Sequence, residues 1–184
     1  MKAKNCLILI CLLAVISTFS CKKQNSGPTA ASIFQGPLNP GFEDVGTVTD
    51  SAKLWWSDAC AQRKSSSNTG FMPTNGNYFM SFFNNSEIYQ DNVDLSQSSK
   101  LLFDYQIITS WSSSDTLSTI ISFITNGKTI TLWSTKVPGA PYGTLIQKKG
   151  QTITLPSLPN KGRLMINFWS VNSGSFDIDN IRTQ

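Results

Sequence analysis

Residues 116–136, TLSTIISFITNGKTITLWSTK, constrain the fold more than any other stretch of the chain. Two runs with apolar residues at alternate positions flank Asn126–Gly127, and that dipeptide is the strongest short-range signal for a two-residue hairpin turn. Alternation with period two sends successive side chains to opposite faces of a sheet, so each run reads as a strand with one face on a core. The signature recurs in GNYFMSFF (76–83), SEIYQDNVDL (86–95), KLLFDYQIIT (100–109), GQTITLPSL (150–158), GRLMINFWSV (162–171) and SFDIDNIR (175–182). TSWSSSD (109–115) and KVPGAPYGT (136–144) read as exposed loops. No segment from Ile33 onward carries a helical i, i+3, i+4, i+7 pattern. About eight or nine short strands at this spacing predict a β-sandwich rather than a parallel sheet.

The first twenty residues stand apart. Lys2 and Lys4 precede an apolar run at 6–16, too short to span a bilayer, which takes ~20 residues, but of signal-peptide length. STFSC, ending in Cys21, resembles the lipobox of bacterial lipoproteins, where the cysteine is lipidated and becomes the new N-terminus; Phe19 and Thr18 depart from it. The resemblance implies a signal peptide over 1–20, lipidated Cys21 and a flexible tether over 21–33, and one domain over 34–184. It places the protein in the cell envelope, lipid-anchored to the outer membrane, on the periplasmic or the surface face. The alternative is an ordinary secreted protein cut nearby. Cys6 and Cys11 leave with such a leader, so Cys60 is expected to have no disulfide partner and to sit as a buried small hydrophobe.

Charge and histidine content narrow the function. Without Lys2, Lys4, Lys22 and Lys23, eleven cations face eleven acids, which gives no basic footprint for nucleic acid. Histidine is absent, which excludes Ser-His-Asp and Cys-His catalysis and histidine-ligated zinc. A pair of carboxylates is the remaining route, with Asp104 the acid to test on an outward face. The expectation is a protein that is not an enzyme.

Strand parity supplies a binding surface instead. Leu101, Phe103, Tyr105 and Ile107 share one face, leaving Asp104 and Gln106 on the other. Ile130 and Leu132 suit the core, which turns Trp133 outward. Leu164, Ile166 and Phe168 suit the core, which turns Arg163, Asn167 and Trp169 outward. Trp111 and Tyr142 fall in loops at the rim. Aromatic rings stack on the flat C–H patches of sugars while amides and carboxylates reach their hydroxyls, so these eight residues form a candidate glycan-binding constellation.

The order LNPGFEDVG, Trp55–Trp56, GNYFMSF, IYQDNVDL, KLLFDYQI and FDIDNIR resembles the galactose-binding-like jelly rolls, a group that includes many carbohydrate-binding modules. The resemblance spans roughly residues 38–182, and MAM-type jelly rolls share its opening and its acidic last strand. It implies an all-β, two-sheet antiparallel jelly roll that binds a polysaccharide or oligosaccharide without catalysis. The alternative is a jelly roll that docks on another envelope protein and has no sugar site. In many such modules a buried structural calcium clips the first strand to the last. Carried over, the resemblance implies Glu43 and Asp179 as ligands and the main-chain oxygen of Asn77 as a further candidate, with Asp44 and Asp177 facing solvent. Asn180 stands where many relatives have a second Asp. The alternative is that Glu43 and Asp179 accept hydrogen bonds from backbone or from a cation such as Arg182.

Overall fold

The computed structural model describes residues 34–47, 51–66, 73–109, 116–138, 141, 143–159, 161–170 and 174–184. Eleven strands are β1 (Phe34–Gln35), β2 (Trp56–Ser57), β3 (Ala61–Ser65), β4 (Tyr78–Phe83), β5 (Ser86–Asp94), β6 (Lys100–Thr109), β7 (Leu117–Thr125), β8 (Lys128–Val137), β9 (Leu145–Thr154), β10 (Gly162–Trp169) and β11 (Gly174–Thr183). They form two sheets, β1-β5-β10-β7-β8 with β2 also paired to β5, and β3-β4-β11-β6-β9. Every pairing is antiparallel except the two-residue contact of β1 with β5. This is the expected all-β jelly-roll sandwich.

Alternation builds the core between the sheets. Ile166 and Phe168 of β10 and Ile121 and Phe123 of β7 face Phe82 of β4, Phe103 of β6 and Phe176 and Ile178 of β11, all of them fully buried. Phe176 is a hub, with ring centroids 5.7 Å from Phe82, 5.7 Å from Tyr105 and 6.2 Å from Phe168. Asn126 and Gly127 both adopt positive φ, as a tight hairpin turn requires, and Gly127 does so without steric cost.

Three strands depart from the sequence reading. β3, AQRKS, is too polar to show alternation, because it is an edge strand whose inward positions are Ala61 and Arg63. β9 begins at Leu145, just after the stretch read as a loop, and ends at Thr154 before Pro156. As the other edge of its sheet it is largely exposed, so it shows little apolar pattern. β2 is two residues long, and both Trp55 and Trp56 beside it are 4% exposed. Cys60 also differs: it is half-buried and disulfide-bonded, its partner lying outside the described residues.

Candidate functional site

On the outer face of the β3-β4-β11-β6-β9 sheet, each strand contributes one hydrogen-bonding side chain to a single row. Gln62 pairs in register with Ser81, Ser81 with Asp177, Asp177 with Gln106, and Gln106 with Gln147. Their neighbours Ala61, Phe82, Phe176, Ile178, Tyr105 and Ile107 point into the core, which fixes the row outward. Four inter-strand steps of about 4.8 Å give it a length of roughly 19 Å. The row is buried at its centre, with Ser81 and Asp177 each 1% and Gln106 3% exposed, while Gln62 is half-buried and Gln147 exposed.

The centre of the row has hydrogen-bonding capacity to spare. Asp177 accepts the Ser81 hydroxyl through Oδ1. Burial pushes the Asp177 carboxyl up to about 7, with only the Ser81 hydroxyl favouring the ion. The Gln106 side chain is 3% exposed and makes no hydrogen bond among the described residues, and its amide atoms are not among those both sealed from solvent and unpartnered. Gln62 donates from Nε2 to the Ala59 carbonyl at 3.2 Å.

One rung along, Asp179 of β11 lies in register with Asp104 of β6, and there every acceptor is engaged. Asp179 Oδ2 accepts the Thr74 N–H at 2.7 Å, the Asn75 N–H at 3.1 Å and stands 3.2 Å from Thr74 Oγ1; Oδ1 accepts the Asn180 N–H at 2.7 Å. Asp104 accepts the Gly150 N–H through Oδ1 and, through Oδ2, the Thr74 hydroxyl and the Asn180 amide. Burial raises Asp179 to about 6 against the Asn75, Thr74 and Asn180 N–H groups that favour its ion. For Asp104 burial is outweighed by Gly150, Thr74, Asn180 and Arg182, which hold its carboxyl below the usual range.

Glu43 lies on the neighbouring loop. Its Oε1 accepts the N–H groups of Asn77 and Tyr78, each at 2.9 Å. Gly76 lets it sit there, since a Cβ would come within 2.3 Å of the Glu43 carboxylate. The resemblance implies calcium at Glu43, Asp179 and the Asn77 carbonyl, and this donor set does not fit that ion. Calcium takes 6–8 oxygens, yet the Thr74 and Asn75 N–H groups already occupy Asp179 Oδ2, the Asn180 N–H holds Oδ1, Glu43 Oε1 accepts two N–H groups, and the Asn77 carbonyl accepts the Ser66 N–H at 3.4 Å. Among the described residues no three acids or cysteines gather as a metal site.

The outer face of the opposite sheet is internally satisfied. Arg163 Nε and Nη2 donate to Asp91 Oδ1 and Oδ2 at 2.7 and 3.0 Å, and the guanidinium lies 3.7 Å over the Tyr89 ring. Tyr89 stacks on Trp56 at 4.8 Å, and Asn167 Nδ2 donates to Glu87 Oε2 at 3.1 Å. A shallow cavity of about 400 Å³ opens beside Arg163, lined also by Asn92, Asn126 and Lys161.

The eight sugar-site residues therefore do not share one surface. Arg163, Asn167 and Trp169, the last 41% exposed, lie on the face just described; Asp104 and Gln106 lie on the other, and Asp104 is sealed by its donors. Trp133 points inward, 5.1 Å from Phe103 and 5.3 Å from Tyr105. A bulge causes this: Thr131 pairs with Ser122 and Trp133 with Ile121, so Leu132 is an extra residue that inverts the parity beyond it. Trp111, Tyr142 and Cys21 lie outside the described residues. Asp177 is buried rather than solvent-facing; Asp44 is exposed as expected. Ser81, Asp177, Gln62 and Gln147 were not among the site residues read from the sequence. The parity of β11 held the signal, since it puts Asp177 and Asp179 on one face, opposite Phe176 and Ile178.

No protein-family model matches the chain, and no curated protein does. Solved structures do. The fold is similar to the K2 cleaved adhesin domain of Lys-gingipain, with a TM-score of 0.56 and 14% identity over 79% of this chain and 96% of that one. It is similar to a non-crystalline cellulose specific carbohydrate-binding module, CBM28, with a TM-score of 0.54 and 14% identity over 82% and 95%. The K1 cleaved adhesin domain of Lys-gingipain from Porphyromonas gingivalis W83 gives a TM-score of 0.52 and 17% identity over 78% and 95%. At these identities the likeness concerns the fold.

Proposed function

We propose that this chain binds a glycan without catalysis, across the outer face of the β3-β4-β11-β6-β9 sheet, with Gln106 and Asp177 at the centre of the site. The observation that supports this reading is the Gln106 amide, which sits in mid-sheet with no partner among the described residues, beside a carboxylate held by one hydroxyl. An amide both donates and accepts, and Asp177 accepts or donates according to its proton, which suits the mixed hydrogen bonding of sugar hydroxyls. Similarity of fold to a cellulose-specific module adds a sugar-binding precedent on this architecture. The reading requires the buried centre of the row to open to the ligand.

Affinity electrophoresis of the full chain in gels cast with plant, host and microbial polysaccharides tests the function. Retardation by at least one neutral polysaccharide is expected. A folded protein that runs unretarded in every gel contradicts the proposal and moves the weight to docking on another envelope protein.

From the lipobox resemblance we also propose that Cys21 is lipidated and anchors the protein at the outer membrane, which requires that the Cys60 disulfide be absent from the mature protein. Mass spectrometry of the mature protein checks it. A diacylglyceryl group on Cys21 is expected, and a disulfide from Cys21 to Cys60 in its place would refute the anchor.

A further inference from the structure

The stretches NPGFE (39–43), 74–78 and FDIDNIR (176–182) meet in one clasp, but a protein cation already serves it. Arg63 of β3 donates from Nε to the Phe42 carbonyl at 2.7 Å and from Nη2 to the Glu43 carbonyl at 2.6 Å. Its guanidinium lies 3.4 Å from the centre of the Tyr78 ring. Arg63 is only 9% exposed, and among the described residues no carboxylate stands within ion-pair distance of it. A buried charge held by two neutral carbonyls and a ring face is costly unless those partners are fixed in advance.

Here they are fixed. Phe42 is fully buried, adopts a positive φ of 56° and packs 5.5 Å from Trp55, which turns its carbonyl and that of Glu43 toward Arg63. The Glu43 side chain then ties down the Asn77 and Tyr78 N–H groups, and Tyr78 presents its ring to the guanidinium. The Phe42 and Glu43 carbonyls of the clasp are thus gathered by a planar fork of N–H donors, the geometry arginine offers and lysine does not.

We propose that Arg63 is the resident cation of this clasp and that the clasp closes without metal. Thermal melts of the full chain, in chelator and in millimolar calcium, test this together with two variants. The wild-type melts should coincide to within about a degree. Arg63→Met should melt lower by roughly 5–15 °C, as expected when two carbonyls of the clasp lose their donors and the Tyr78 ring loses its cation. Arg63→Lys should fall between, keeping charge but losing the fork. A wild-type melt raised several degrees by calcium overturns the proposal, and so does an Arg63→Met melt equal to wild type. Should Arg63→Met fail to fold, Arg63→Lys and the calcium comparison on wild type still decide it.

Discussion

The two outer faces of this sandwich share a backbone plan and differ in where their polar groups are spent. On the β1-β5-β10-β7-β8 face, charged and amide groups pair with each other: Arg163 with Asp91, Asn167 with Glu87. On the β3-β4-β11-β6-β9 face, a complete row crosses five strands and leaves the Gln106 amide unpaired at its centre. One rung away on that same face, Asp104 and Asp179 are saturated by loop and bulge N–H groups. A polar side chain whose bonds are already made contributes to the fold; one in mid-sheet whose bonds are unmade is available to a ligand. Outwardness alone does not separate the two.

The largest expected effect tests which residues belong to neither face. Trp133→Ala should cost about 2–4 kcal/mol in chemical denaturation, because its ring packs on Phe103, Tyr105 and Phe176. Trp169→Ala, on the exposed end of β10, should cost under about 1 kcal/mol. Equal costs would mean that the bulge at Leu132 does not invert β8.

A second effect is pH dependence, and it sharpens the contrast between the faces. Asp177 and Asp179 have folded-state values raised to about 7 and about 6, above 3.8, so the folded state holds protons that the unfolded chain has released. Their contribution therefore stabilises the fold as pH falls through 7 and 6, and is absent at pH 8. Asp104 is shifted the other way, and its contribution is lost only near the bottom of the carboxylate range. The melting temperature should be higher at pH 5 than at pH 8, by roughly 5 °C, and Asp177→Asn should flatten much of that slope. A melt that falls between pH 8 and pH 5 would contradict the burial of these two acids.

The smallest effect belongs to the satisfied face. Arg163→Ala removes a partly exposed ion pair and a ring contact, and should lower stability by no more than about 1 kcal/mol. It should leave any glycan binding unchanged.

Much of this architecture was legible in the sequence. KLLFDYQIIT matches β6 residue for residue, and the Asn126–Gly127 hairpin joins β7 to β8, because unbroken alternation is read directly by the pleat. The same alternation placed Gln106 outward. It misplaced Trp133, since nothing in TITLWS marks which residue a bulge absorbs. It gave no sign of Arg63, whose burial depends on the carbonyls of a loop twenty residues earlier. The spare capacity of Gln106 was hidden for a like reason: whether an outward amide finds a partner is decided by side chains on neighbouring strands, not by its own strand. Asp177 was expected to face solvent from the family resemblance, and its central position in the sheet buries it.

The most direct test of the account compares the faces in one titration. Once a polysaccharide that retards the wild type is found, its binding to the full chain is measured by calorimetry for Gln106→Ala and for Arg163→Ala, with melts confirming that both are folded. The account predicts that Gln106→Ala loses at least about tenfold in affinity, as loss of a buried hydrogen-bonding partner implies, while Arg163→Ala binds as wild type does. Binding that survives Gln106→Ala and fails in Arg163→Ala would place the site on the opposite sheet and contradict the central claim.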